Sequence, residues 1–171
     1  MGYLYPMSIL AGRKSTSSFT GITFAGAGQN LDTGCKVVLA APDTSATVET
    51  KSISKGGGTS TFRSSIVATE NARNSAASVS CQSLMLDDLS RSDTIPAMDI
   101  RCDAVDVGHE AKIGRISEEA IFYLMSRGMT EEDARALIVG GFAEPIAKEL
   151  PLEYAVEMNN LIHLEMKGSI G

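Results

Sequence analysis

Ser75-Ala76-Ala77-Ser78-Val79-Ser80 is the stretch on which the architecture turns: five of its six side chains are small, in a segment patterned as a strand. Ser64-Ser65 shows the same preference. Short strands suit a sandwich or a β-solenoid. Small residues at many strand positions favour the solenoid, whose narrow interior stacks like side chains coil on coil. On the N-terminal side, Gly21-Ile22-Thr23-Phe24, Lys36-Val37-Val38-Leu39, Ala46-Thr47-Val48-Glu49-Thr50 and Ser60-Thr61-Phe62-Arg63 are short, alternating and β-branched, and read as strands. Gly26-Ala27-Gly28, Asp32-Thr33-Gly34, Pro42-Asp43, Gly56-Gly57-Gly58 and the run from Asn71 to Asn74 punctuate them, at spacings too irregular for a strict short repeat.

Towards the C-terminus the period changes. Ser117 sits where an N-cap belongs, Glu118 and Glu119 suit the positive end of a helix, and Ile121, Leu124 and Met125 share a face until Gly128. Thr130-Glu131-Glu132-Asp133 opens a second helix, expected to close at Gly140-Gly141, and Pro151 is placed as a first-turn residue of a third. In that third helix Leu152, Ala155, Val156, Asn159 and Leu161-Ile162 form the expected apolar stripe, with Glu153, Glu157, Asn160 and Lys167 outside it. The expected organisation is a β region over 1–114 and a small helical domain over 115–171.

Composition narrows the function. The chain has 171 residues, 43% of them apolar, and a net charge of −6, which argues against the basic stripe that phosphate-backbone binding needs. Fifteen of the 21 Asp and Glu residues fall after residue 90. No window approaches a membrane span, and the first residues lack the pattern of a secretory signal or a myristoylation site. Neither nucleic acid nor membrane is an expected partner. Cys35, Cys81 and Cys102 are odd in number and form no CxxC pair, so reduced thiols in a cytoplasmic setting are expected, with a plastid-like organelle as the alternative.

The glycine-rich segments fail as phosphate loops. Ala11-Gly12-Arg13-Lys14-Ser15 lacks the Gly-Lys-Ser order, and Gly26-Ala27-Gly28 is followed by Leu31 where a dinucleotide fingerprint needs Gly or Ala. His109-Glu110 lacks the second histidine of a zinc-protease helix, since position 113 is Ile113. What remains is a thiolate, an imidazole and a carboxylate able to hold soft or borderline metals: Cys81, His109 and Glu110. Cys81 and His109 are 28 residues apart, yet on neighbouring coils, about 4.8 Å apart, such residues can meet. The bland reading stands beside this one, because free cysteine is among the most buried residue types and a lone histidine is usually structural. Cys35, after Gly34 at a turn-to-strand junction, and Cys102, in the alternating stretch 99–103, read as structural. His163 has no acid or thiol placed beside it and reads the same way.

The residues resemble the SufB/SufD family of the SUF iron–sulfur cluster assembly system, through Phe24-Ala25-Gly26, Asp32-Thr33-Gly34, Lys51-Ser52-Ile53-Ser54-Lys55, Ser90-Arg91-Ser92-Asp93-Thr94-Ile95-Pro96, Val107-Gly108-His109-Glu110-Ala111, Phe122 to Gly128 and Glu144 to Pro151. Glu110 resembles the SufB branch, since SufD members typically carry Ser-His-Gly-Ala there. The resemblance implies a right-handed parallel β-helix, a partial SufBD core, followed by a C-terminal helical domain. It also implies a non-enzymatic scaffold. Cys81, His109 and Glu110 match the residues that hold a transient cluster or its sulfur at an interface with a SufD-type paralogue or a second SufB copy. The helices around 144–160 match the segment that docks the SufC-type ABC ATPase, which binds the ATP in place of this chain. Family members are longer, so the chain is expected to start inside the β-helix, without the upstream positions for sulfur entry.

Two rival classes give different expectations. A truncated interaction module would bind SufC and assemble no cluster. A solenoid enzyme acting on polysaccharide would show paired carboxylates and exposed aromatics, whereas this chain has no Trp and only 5% aromatic residues.

Overall fold

In a computed structural model, residues 2–167 are described. The chain divides into two compact units, Met1–Ile113 and Gly114–Gly171. The first is a parallel β-solenoid of four coils among the described residues. One sheet holds β1 (Gly2–Leu4) and β2 (Met7–Leu10) end to end along one edge of β4 (Asn30–Leu39), then β6 (Thr59–Ala68) and β8 (Arg91–Ile100). The other runs β3 (Thr16–Ala25), β5 (Ser45–Ser54), β7 (Ser75–Met85) and β9 (Val105–Arg115). Each segment read as a strand lies inside a strand of ten or eleven residues.

The repeat escapes a sequence scan because the coils differ in length. Thr16 pairs with Ser45 and Asn30 with Thr59, a return of 29 residues; Ser45 pairs with Ala76 and Thr59 with Arg91, returns of 31 and 32. The turns nevertheless stack. Lys14, Asp43 and Asn74 adopt positive φ of 62°, 59° and 56° in successive coils, a conformation Asn and Asp tolerate well, and Arg13 ties two of these turns together through Asp43 at 2.7 Å. At the opposite corner a side chain on Gly58 would meet the Ala25 carbonyl at 2.3 Å, so only glycine fits.

The interior has two characters. Towards one corner it is aliphatic: Leu10, Val37, Leu39, Ala46, Val48, Ile66, Ala68, Ala77 and Val79 form one buried cluster. Towards the other it is lined with hydroxyls that bond between coils. Thr23 Oγ1 lies 3.2 Å from Ser60 Oγ, and Ser52 Oγ lies 2.8 Å from Ser83 Oγ and 3.1 Å from Ser92 Oγ. The serines are small because the lumen is narrow, and they are tolerated because they satisfy one another. Among the described residues no buried side-chain nitrogen or oxygen lacks a partner.

The second unit holds α1 (Glu118–Ser126), α2 (Glu131–Glu149) and α3 (Leu152–Lys167), with α2 packed against both others. Ser117 and Thr130 are the N-caps, accepting from the amides of Ala120 and Asp133, each at 3.1 Å. Gly128, at φ 94°, follows α1 as a helix-ending glycine should. Gly140-Gly141 does not end the second helix as expected. Neither residue takes the positive φ of a terminating glycine, and Ala143 and Ile146 bury beyond them, so packing carries α2 on through Pro145 to Glu149. In α3 the buried face is also rotated from the expected stripe. Ile162 and Met166 are buried with Ala155 and Met158 half-buried, whereas Leu152, Val156 and Leu161 are exposed.

Candidate functional site

The site follows from strand alternation, which sends successive side chains to opposite faces. On β7, Ala77, Val79 and Cys81 point inward, and Cys81 is 3% exposed. On β9, the next strand of the same sheet, Val105, Val107 and His109 alternate with exposed Asp106, Gly108 and Glu110, and both valines pack on the core. His109 is therefore held over Cys81, with Nε2 3.7 Å from Sγ. Glu110 is not brought to them. It projects from the outer face, where Lys112, two residues on, meets its carboxylate at 2.9 Å. Among the described residues, no three His, Cys, Asp or Glu side chains gather closely enough to hold a metal ion.

Burial pushes the Cys81 thiol above its ordinary value, and a hydrogen bond from the Thr50 hydroxyl opposes that shift. The thiol is thus neutral near pH 7, and deprotonation awaits a cation beside it. The separation suits one. A tetrahedral ion with bonds of about 2.3 Å to sulfur and about 2.05 Å to nitrogen spans about 3.6 Å between the two donors. Such an ion keeps two positions for ligands from elsewhere.

Cys35 is not at a turn junction but mid-strand in β4, buried in the same cluster. Burial first, and the neighbouring Cys81 second, push its thiol up to about 11, so it is inert filler at neutral pH. Cys102 lies outside any strand, between β8 and β9, and is half-buried. His163 is exposed on α3.

Thr50 is the residue that sequence reading passed over. It is the in-register neighbour of Cys81 on β5, 31 positions upstream. Its only signal is that offset, which has meaning only once the coil length is known. Below Thr50, Gly21 leaves out one rung of the ladder, and a cavity of about 60 Å³ opens there between Phe19, Phe62 and Thr50.

A parallel solenoid with an inward thiol–imidazole pair between β7 and β9 defines the class as a β-helical protein. The family model described as SUF system FeS cluster assembly, SufBD core domain, matches residues 1–142, and the chain belongs to that family. It is 47% identical over 167 residues to an iron-sulfur cluster assembly SufBD family protein of Mycobacterium bovis, covering 98% of this chain and 20% of the relative. For SufBD family proteins of Mycobacterium leprae and Staphylococcus aureus the identities are 46% and 48%, covering 98% of this chain and 19% and 36% of the relatives. The chain therefore spans between about a fifth and about a third of the length of these relatives. No helix among the described residues is long and apolar enough to cross a membrane.

Proposed function

We propose that this chain is part of a SufB-type scaffold that holds a nascent iron–sulfur cluster, or its sulfur, as cargo at an interface with a SufD-like partner or a second SufB copy. The observation that carries this reading is the 3.7 Å approach of Cys81 Sγ and His109 Nε2. Two donors hold a cluster far less firmly than four thiolates do, and a scaffold needs a cargo it can release. Among the described residues β8 and β9 are the last strands of their sheets, and on β8 Ile95, Met98 and Ile100 are each more than 40% exposed. An unpaired edge with apolar residues favours covering by another chain, which would supply the missing ligands.

Glu110 favours the SufB branch by the resemblance of Gly108-His109-Glu110-Ala111. Facing outward from β9, Glu110 is placed to meet a docked partner and not the inner Cys81–His109 pair. Exposed Leu152, Tyr154 and Val156 support SufC docking around residues 144–160. In this reading the ATPase binds ATP, and this chain catalyses no reaction.

Anaerobic reconstitution with a SufD-like partner and a SufC-type ATPase tests it. Iron and sulfide retained should fall sharply in Cys81→Ser. Equal loading removes Cys81 from the mechanism. A wild-type complex that binds the ATPase yet gains no cluster supports the interaction module instead.

A further inference from the structure

We infer that Thr50 is a positioning residue for Cys81, holding the sulfur from the rung below while His109 faces it from the rung above, and so setting how tightly a metal is retained there. The inference rests on the reading of Cys81 and His109 as the cargo site.

The ladder Gly21, Thr50, Cys81 runs in register across β3, β5 and β7. Thr50 is 7% exposed, and its Cγ2 lies 3.7 Å from where a Cβ on Gly21 would stand. A β-branched side chain has little χ1 freedom, so a methyl turned to the β3 side directs the hydroxyl towards β7. The register sets that hydroxyl beside the Cys81 sulfur, and its effect on the thiol, opposing the upward push of burial, is that of a donor. The sulfur is thereby bracketed along the solenoid axis, and the bracket keeps it from turning away from His109. Partners that orient a metal ligand typically contribute 10–100-fold in metal affinity. The cavity beneath Thr50 adds a second constraint. Thr50 lines this space with Gly21, Phe19 and Phe62, and a valine would keep that wall while removing only the donor.

The test uses the full chain carrying Cys35→Ala and Cys102→Ser, so that Cys81 is its one thiol. In the metal-free protein, the Raman S–H stretching band should move in Thr50→Val and stay in Thr50→Ser. Cobalt(II), titrated through its thiolate charge-transfer band, should bind about tenfold more weakly to the valine variant, and the serine variant should recover the affinity. An S–H band that does not move, or equal cobalt affinity in all three proteins, overturns the inference. If the protein binds cobalt no more tightly than its Cys81→Ala variant, the cargo-site reading fails and the affinity role of Thr50 fails with it. The S–H band still decides whether Thr50 holds the sulfur.

Discussion

Glu110 and His109 are sequence neighbours on opposite faces of β9, so substituting each in turn separates the inner pair from the outer carboxylate. Glu110→Gln removes one exposed ion pair, to Lys112 at 2.9 Å, with the Glu110 side chain 65% exposed. Such pairs contribute about 0–1 kcal/mol, so the unfolding midpoint should move by no more than about 2–4 °C. Metal binding by the chain alone should not change, because no inward donor is lost. His109→Ala instead removes one of the two donors that face each other at 3.7 Å. Its effect should exceed the 10–100-fold typical of losing a supporting hydrogen bond. Cobalt(II) titration of each variant, beside a thermal melt followed by circular dichroism, measures both quantities. If Glu110→Gln weakens cobalt binding as much as His109→Ala does, the alternation on β9 is not what governs the site, and the reasoning falls. With a SufD-like partner present, His109→Ala should lose cluster.

Three further outcomes follow from the packing. Gly141→Ala, in mid-helix where an added Cβ meets nothing within 4 Å, should stabilise the helical unit by up to about 1 kcal/mol in urea unfolding. In native protein iodoacetamide should modify half-buried Cys102 well before Cys35, whose thiol is pushed up to about 11, as read by peptide mass spectrometry over time. Burial raises the Asp87 carboxyl, but bonds from the Gly56 amide, the Ser90 hydroxyl and the Ser90 and Leu89 amides outweigh it and hold the group below its ordinary value. Its folded value lies below the unfolded one near about 3.9, so its contribution is full above that pH and is lost as the pH falls through the folded value. Asp87→Asn should lower stability at neutral pH and flatten the acid limb of a stability–pH curve.

What the sequence disclosed was local. The strand segments and both helix caps were legible because alternation and capping act over a few residues, whereas the small-residue argument held only in part, since Ser75 and Ala77 face inward on β7 while Ala76, Ser78 and Ser80 alternate outward. The turn stack was legible only as punctuation, since returns of 29, 31 and 32 residues blur any fixed period. For the same reason Cys81 and His109 could be named as candidates that neighbouring coils could bring together, while Thr50, two strands from His109, could not be named at all. Adjacency misled at Glu110, where being next to a ligand in a strand means facing away from it. Gly140-Gly141 misled for a different reason: a glycine pair weakens a helix, but whether it ends one depends on what packs beyond it.

The hydroxyl-lined corner of the lumen has a thermodynamic consequence. Unfolding a domain exposes apolar surface, which raises the heat capacity, and polar surface, which lowers it. Here Ser52, Ser60, Ser64 and Ser83 occupy buried positions that aliphatic side chains would fill in an ordinary core. The heat-capacity increment of the solenoid should therefore fall below the about 12–15 cal/mol/K per residue of typical domains, giving a broad, shallow dependence of stability on temperature.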